Sequence, residues 1–351
     1  MSDRSDVVEL IAQSRECSRD AVEMLLGGKN PDKCIKDLRQ NGKIEHVGTR
    51  DEPQGERLRK AETLRIMAAA EEPYKSLVES PIYTTKIRND PQIRERYHEQ
   101  SETIAMMNRI GVPTLPSCKP PLYGEGSMEQ TAYYQALEVK AIEGEKMKMR
   151  SSRIVGLLRT PNAAELIFCF HSSTPKWEER TERRVMDIVR QNTNADRITR
   201  AIIGKNVNVT ELLRGDGGEK NTLFKITVAS GQTKFIPFDD NGLFLLKADH
   251  ITDKLSVFVE SLIKRLDLRR ETTGLVCDGV DTSGVPHLIA LDYDLYRIKM
   301  FRLGLESRKL RGVVYCFDFQ KDVMTDYFEH DAFAWVKVFS TKQVAERIGV
   351  E

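Results

Sequence analysis

At 351 residues and 40% hydrophobic content, the chain is long enough to bury two or more cores and reads as a multidomain protein. Charged residues make up 30%, yet 54 Lys and Arg against 53 Asp and Glu leave a formal charge of only +1. That balance excludes whole-molecule electrostatic steering, so any nucleic-acid contact must come from local patches.

The N-terminal MSDRSDVVEL has no basic region followed by a long apolar core, and no run approaches the roughly 18 apolar residues of a membrane span. Secretion and a membrane partner are therefore not expected, and the expected compartment is the cytoplasm. The six cysteines, Cys17, Cys34, Cys118, Cys169, Cys277 and Cys316, form no CxxC pair and no Cys/His cluster, and four of them sit inside apolar runs. They read as thiols of a reducing compartment, neither zinc ligands nor disulfide partners.

Ser5 or Asp6 starts a first helix with Val7, Val8, Leu10 and Ile11 on one side. Ser18 caps a second, which Gly27-Gly28 stops, and Asn30-Pro31 opens a third that runs to about Asn41, with Gly42 at its exit. The strand KIEHV follows. Three short helices ahead of a strand is the order of a winged helix-turn-helix, with GTRDEPQGER as the wing. On the third helix Cys34, Ile35 and Leu38 form the inward face, while Lys33, Lys36 and Gln40 lie roughly 190° away. Lys29 continues their row, and Lys43, Arg50 and Arg57 extend it toward the wing. Residues 29 to 60 hold nine basic against six acidic side chains. A recognition helix presents its base- and phosphate-contacting residues on such a face, although a solvated helix carries lysines there too.

Glu56 to Glu72 is expected to be a charged connector helix, with Leu58, Leu64, Ile66 and Met67 available for packing. A long helix follows over about Pro91 to Ile110. The segment GVPTLPSCKPPLYGEGS, rich in Pro and Gly, then separates domains. Beyond it, SRIVGLLRTPNAAELIFCF predicts a hairpin, KWEERTERRVMDIVRQ a helix, RITRAIIG a strand and NVTELLRG a short helix. The order recurs in TGLVCDGV, PHLIALDYD, a helix from Leu295 to Lys309, GVVYCFDF, a helix over Lys321 to Phe328, AFAWVKVF, and a closing helix capped by Ser340 or Thr341. The fold class is accordingly α+β or mixed α/β. Its expected parts are a winged helix-turn-helix over 1–52, a connector over 53–125, and two similar mixed-sheet α/β units over 126–248 and 249–351.

Asp278, Asp292 and Asp294 stand at the ends of two hairpin strands, where divalent-metal nucleases of the restriction-endonuclease class gather oxygen ligands around magnesium. The strand, strand, helix, strand order is also theirs. The lysine such sites carry two residues after the second acid is replaced here by Asp294, and Lys299 would have to reach back from the helix. Asp and Gly are also what a hairpin turn uses.

Two basic stretches, 140–159 and 297–311, are each candidates for phosphate contacts or for the outer face of an amphipathic helix. In the second, Arg297, Lys299, Arg302, Arg308, Lys309 and Arg311 surround a core side of Ile298, Phe301 and Leu305. RGDGGEKNT lacks phosphate-loop spacing, and His171, near Trp177, Glu178 and Glu182, is not read as a catalytic base. His250, His287 and His330 are scattered. Tyr133 and Tyr134 could stack on bases, but burial explains them better.

With TAYYQALEVK, SSRIVGLL, TPKWEERTERR and LRGVVYCFDFQ in this order behind the three-helix segment, the chain resembles the winged-helix replication-relaxation proteins of plasmids and of integrative and conjugative elements of Gram-positive bacteria. The resemblance spans roughly 130 to 320 and, by architecture, the first 50 residues. It implies a cytoplasmic double-stranded-DNA-binding role in element replication, transfer or their control, and offers no catalytic residue to carry over. No resident cofactor is expected. Three readings stand open: a DNA-binding regulator, with other element proteins or a second copy as further partners; a magnesium-dependent nuclease or nicking accessory using Asp278, Asp292, Asp294 and Lys299; and a protein-interaction adaptor.

Overall fold

The computed structural model describes residues 3–54, 57–66, 91–123, 130–140, 154–161, 163–170, 179–193, 195, 197–205, 207–214, 232–271, 274–329 and 333–350. It is a mixed α/β chain of two compact units. Met1–His171 and Arg180–Ile198 form the first, and Ser172–Glu179 and Thr199–Glu351 form the second. Among the described residues no helix is long and apolar enough to cross a membrane.

The first unit begins with α1 (Asp3–Ser14), the short strand β1 (Glu16–Ser18), α2 (Arg19–Leu26) and α3 (Pro31–Gln40). The helix ends follow the predicted chemistry. Ser18 Oγ accepts the Ala21 N–H at 3.1 Å, and Gly27 closes α2 at φ +61°, where a side chain would be strained. Asn30 caps α3 through the Asp32 N–H at 2.8 Å, and Pro31 takes the first helical position, which needs no N–H partner. Val7, Ile11, Val22, Leu26, Cys34, Ile35, Leu38 and Ile44 meet in one core.

After α3 come β2 (Ile44–Gln54) and β3 (Arg57–Ile66), an antiparallel pair running from Ile44 opposite Ile66 to Gln54 opposite Arg57. β1 adds to the far side of β3, giving the order β1, β3, β2. The connector helix expected from Glu56 is therefore a strand over 57–66, with 67–72 outside the described residues. RLRKAETLRI contains good helix formers, but Leu58, Leu64 and Ile66 also fit a period of two. Ladder pairing on both sides of β3 outweighs a local preference of a few tenths of a kcal/mol per residue. Most of the expected wing is likewise strand, and positions 55–56 lie outside the described residues.

Helix α4 (Pro91–Arg109) packs against α1, α2 and β1 and also against the strands that follow. Ile104, Ala105, Met106 and Met107 are buried in succession, as are Ser101, Glu102 and Thr103, so this helix is a core element. Ser18 Oγ donates to Glu102 Oε1 at 3.0 Å, and Arg15 lies over the Tyr97 ring at 5.6 Å. Next come β4 (Ala132–Gln135), α5 (Ala136–Lys140), β5 (Ile154–Arg159) and β6 (Ala163–Phe170), the strands pairing antiparallel in that order. Tyr133 and Tyr134 are buried on β4 and donate to the carbonyls of Val155 (3.0 Å) and Pro120 (2.8 Å), so packing accounts for both. α6 (Glu179–Asn192) and β7 (Arg197–Gly204) continue the chain.

In the second unit, residues 200–204 of β7 run parallel to β8 (Thr233–Pro237), with α7 (Val209–Arg214) between the two strands in sequence. α8 (Asp240–Leu245) passes into a wide π-helical turn, Leu246–Ile251, and α9 (Lys254–Arg265) follows. A four-stranded sheet has the order β12 (Ala334–Phe339), β11 (Gly312–Phe317), β10 (Pro286–Ile289), β9 (Gly279–Val280). The last two form an antiparallel hairpin, while β10, β11 and β12 are parallel. Parallel neighbours need crossovers, supplied by α10 (Leu295–Arg308) and by α11 (Lys321–Met324) with its π-helical continuation. Leu295, Ile298, Phe301 and Leu305 form the buried side of α10. Ser340 caps the closing helix α12 (Thr341–Ile348).

Residues 141–153 of the first basic stretch, Gly215–Thr222, His171, Trp177, Glu178 and His330 lie outside the described residues.

Candidate functional site

In the first unit, burial of Cys34, Ile35 and Leu38 fixes the rotation of α3 about its axis. Lys33, Lys36, Arg39 and Gln40 are exposed on the other side. The acidic groups around this face are held by cations: Arg19 pairs with Asp32 at 2.7 Å, Lys29 with Asp3 at 2.9 Å, and Arg4 with Asp37. Lys29 is therefore an ion-pair partner at the helix entrance, while Lys33 and Lys36 make no ion pair among the described residues. Lys43 is half-buried at the start of β2, and Arg50 lies within β2 opposite Ala61.

The aspartates of the second unit come together around an arginine. Arg297, in the first turn of α10, donates from Nη2 to Asp278 Oδ1 at 2.6 Å and from Nη1 to Asp292 Oδ2 at 3.3 Å. Asp278 also accepts the Ile289 N–H at 2.6 Å, which ties its carboxylate to the end of β10. Asp294 does different work. It is buried and N-caps α10, accepting the N–H groups of Tyr296 (2.9 Å) and Arg297 (3.3 Å), and also that of Thr233 (3.4 Å). Between the two acids, Tyr293 is left-handed at φ +53°, a strained conformation for an aromatic residue. Edge contacts of its buried ring with Phe235 (5.3 Å) and Phe319 (6.2 Å) hold it there.

Lys299 does not join this group. Its buried ammonium donates to the Leu213 carbonyl at 2.8 Å. The rest of the basic stretch is also engaged: Arg302 stacks on Tyr327 (4.4 Å) and Arg311 lies over Trp335 (5.9 Å). Arg308 approaches Glu271 at 4.0 Å, and Lys309 forms the left-handed end of α10.

The electrostatics follow from this packing. Burial raises the Asp278 pKa, and Arg297 only partly opposes it. Burial, with Asp292 adding repulsion, lifts Asp294 from 3.8 to about 7. Burial alone would lower the Arg297 pKa, but Asp292, Asp278 and Asp294 surround it and raise it instead. A guanidinium thus occupies the position between Asp278 and Asp292 where a divalent cation would be needed for hydrolysis, and among the described residues no group of three or more His, Cys, Asp or Glu has metal-binding geometry.

Sequence reasoning missed a second polar cluster on this sheet. His287 Nδ1 lies 3.1 Å from the Tyr315 hydroxyl and Nε2 lies 3.4 Å from Asp281 Oδ2, and Asp281 accepts the N–H groups of Ser283 and Val285 at 2.9 Å. Burial depresses the His287 pKa against the opposing pull of Asp281. Only the parallel register of β10 with β11 joins these residues, and nothing in the spacing of His287 and Tyr315 announces it. Lys234, Asp249 and His250 form a third, buried cluster, with Asp249 and His250 on the π-helical turn. Compared with family models, with curated proteins and with solved structures, the chain matches none.

Proposed function

We propose that this is a double-stranded-DNA-binding protein that reads DNA through a winged helix-turn-helix at its N-terminus. Its place would be in the replication or transfer of a mobile genetic element, or their control, as the replication-relaxation resemblance implies. The observation that carries the reading is the arrangement of α1, β1, α2, α3 and the β2–β3 hairpin. The sheet order β1, β3, β2 and the buried Cys34, Ile35 and Leu38 leave Lys33, Lys36 and Gln40 exposed on the third helix. That is the geometry in which a recognition helix offers cations to phosphates and an amide to a base edge. Other element proteins and a second copy of the chain are the further partners of this reading, and the cytoplasm is its compartment.

A magnesium-dependent nuclease on Asp278, Asp292 and Asp294 has less support, because Arg297 neutralises two of the carboxylates and Lys299 is directed to the Leu213 carbonyl. Fluorescence anisotropy with random and element-derived duplexes, over a salt series with magnesium present, tests these readings together. Salt-dependent binding is expected, with Lys33→Glu plus Lys36→Glu weakening it and reducing the log–log salt slope by about one per lost phosphate contact. An unchanged binding curve would remove α3 from the interface, and no binding by the wild type would leave the adaptor reading. Magnesium-dependent cuts on a denaturing gel that vanish in Asp292→Ala would establish the nuclease.

A further inference from the structure

Trp335 is 52% exposed, and among the described residues it is the only Phe, Tyr or Trp side chain classed as open to solvent. It stands on β12, the outermost strand of the four-stranded sheet. Parallel partners share a face, so Val313 opposite Trp335 and Tyr315 opposite Lys337 put all four side chains on one side of the sheet. Val313 and Tyr315 are buried there, whereas Trp335 and Lys337 are exposed.

Two cations flank the indole. Arg311, which leads into β11, lies over the ring at 5.9 Å from its centre. Lys337 follows Trp335 by two residues, about 7 Å along the strand. Its ammonium lies 5.6 Å from the centre of the Tyr315 ring. Both cations are exposed, and neither makes an ion pair among the described residues. On the same face His287 stands opposite Val313, and the carboxylate beside it, Asp281, is already committed to the Ser283 and Val285 N–H groups and to the imidazole.

A guanidinium can lie over only one face of an indole, so half of this ring remains a flat, apolar platform between two positive charges. We propose that Trp335, Arg311 and Lys337 form a stacking site for single-stranded nucleic acid, with an unpaired base on the indole and neighbouring phosphates on the guanidinium and the ammonium. Only an unpaired base has a face to offer, because the bases of a duplex are already stacked on one another. A second copy of the chain suits the patch less well: a two-fold contact centred here would set Arg311 and Lys337 against their own counterparts. An acidic peptide would satisfy the cations but bring no flat partner for the ring. The site lies in the second unit and does not rest on duplex binding by α3.

The chain has two tryptophans, Trp177 and Trp335, so stacking is read as quenching of intrinsic fluorescence. The full chain is titrated with oligothymidylate, oligouridylate, a duplex of the same length and inorganic polyphosphate, for the wild type, Trp335→Leu and Lys337→Gln. At least one of the single strands is expected to quench, and which one does so identifies the strand as DNA or RNA. Polyphosphate, which brings charge without a base, is expected to leave the emission unchanged. Trp335→Leu is expected to lose the quench and to bind about tenfold more weakly, as the loss of one stacked base requires. Lys337→Gln is expected to keep the quench and to lower the log–log salt slope by about 0.7, the share of one phosphate contact on a single strand. No quench in the wild type, or undiminished quench and affinity in Trp335→Leu, would overturn the site. Equal quenching by polyphosphate would overturn stacking, and equal quenching by the duplex would overturn the single-strand class. Should Trp335→Leu not fold, Trp177→Phe makes Trp335 the sole indole, and its failure to be quenched there overturns the proposal. The signal comes from Trp335 itself, so a failure of duplex binding at α3 leaves this result unaffected.

Discussion

Arg297 Nη2 donates to Asp278 Oδ1 at 2.6 Å, joining the first turn of α10 to the residue that leads into β9. The same guanidinium reaches Asp292, so one cation serves two largely buried carboxylates on separate segments. Removing one partner of a buried ion pair leaves a charge with neither water nor counter-ion. Arg297→Met is therefore expected to lower the unfolding free energy in urea by about 3 kcal/mol at neutral pH. Because Asp278, whose pKa burial already raises, can then escape by taking up a proton, the deficit should shrink as the pH falls toward 4. A deficit independent of pH would mean that Arg297 acts through packing alone.

Asp294 predicts the opposite of ordinary acid denaturation. Its pKa is raised from 3.8 to about 7 in the folded chain, so the folded state binds the proton more tightly than the unfolded state does. The resulting stability is fully present below pH 3.8 and is lost as pH rises through 7. Each unit of such a shift is worth about 1.4 kcal/mol. Asp294→Asn keeps an N-cap of comparable quality but does not titrate. Unfolding measured from pH 4 to 8 should show the variant gaining on the wild type as the pH rises, and parallel curves would assign the carboxylate a lower pKa in the fold.

His287 gives a slope of the other sign. Its pKa lies below 6.5 because burial disfavours the imidazolium, with Asp281 only partly compensating. The neutral ring therefore contributes stability in full above pH 6.5, and that contribution is lost as the pH falls through the folded-state value. His287→Gln retains hydrogen-bonding capacity toward Tyr315 and Asp281 without titrating. The acid-side decline between about pH 6.5 and 4 should be shallower in this variant, and an identical decline would show that His287 takes up its proton as readily in the fold as in the unfolded chain.

The local chemistry of the chain was legible where it is written in short-range pattern. Ser18, Gly27, Asn30 and Pro31 mark helix ends by their own hydrogen-bonding and backbone preferences, and the structure has α2 and α3 where they predict. The exposure of Lys33, Lys36 and Gln40 follows from the same helical period that buries Cys34 and Leu38. What could not be read depends on partners distant in sequence. Arg57 to Ile66 becomes a strand because β2 and β1 flank it, and β1, three residues long, has no periodicity to detect. Sequence pattern singles out Asp278, Asp292 and Asp294, but which cation meets the first two is decided by the rotation of α10. That rotation turns Arg297 toward Asp278 and Asp292 and Lys299 toward Leu213.

Lys119 shows how such long-range partners support a segment whose regular structure is a single 3-10 turn, Pro116–Cys118. The Pro-rich stretch around it has few backbone ladders of its own, yet its buried ammonium donates to the carbonyls of Thr114 (2.9 Å) and Tyr133 (2.8 Å) and to Glu138 Oε2 (2.7 Å). It also lies 4.7 Å from the centre of the Tyr134 ring. All three N–H donors are used, and the segment is thereby fastened to β4 and α5. Lys119→Met should cost about 3 kcal/mol in urea unfolding, since it strands Glu138 and two carbonyls together. Adding Glu138→Leu removes the stranded charge and should restore part of that loss, but not all of it, because Glu138 also accepts the Gln135 N–H. A double variant no more stable than Lys119→Met alone would locate the value of Lys119 in its carbonyl contacts and not in the ion pair.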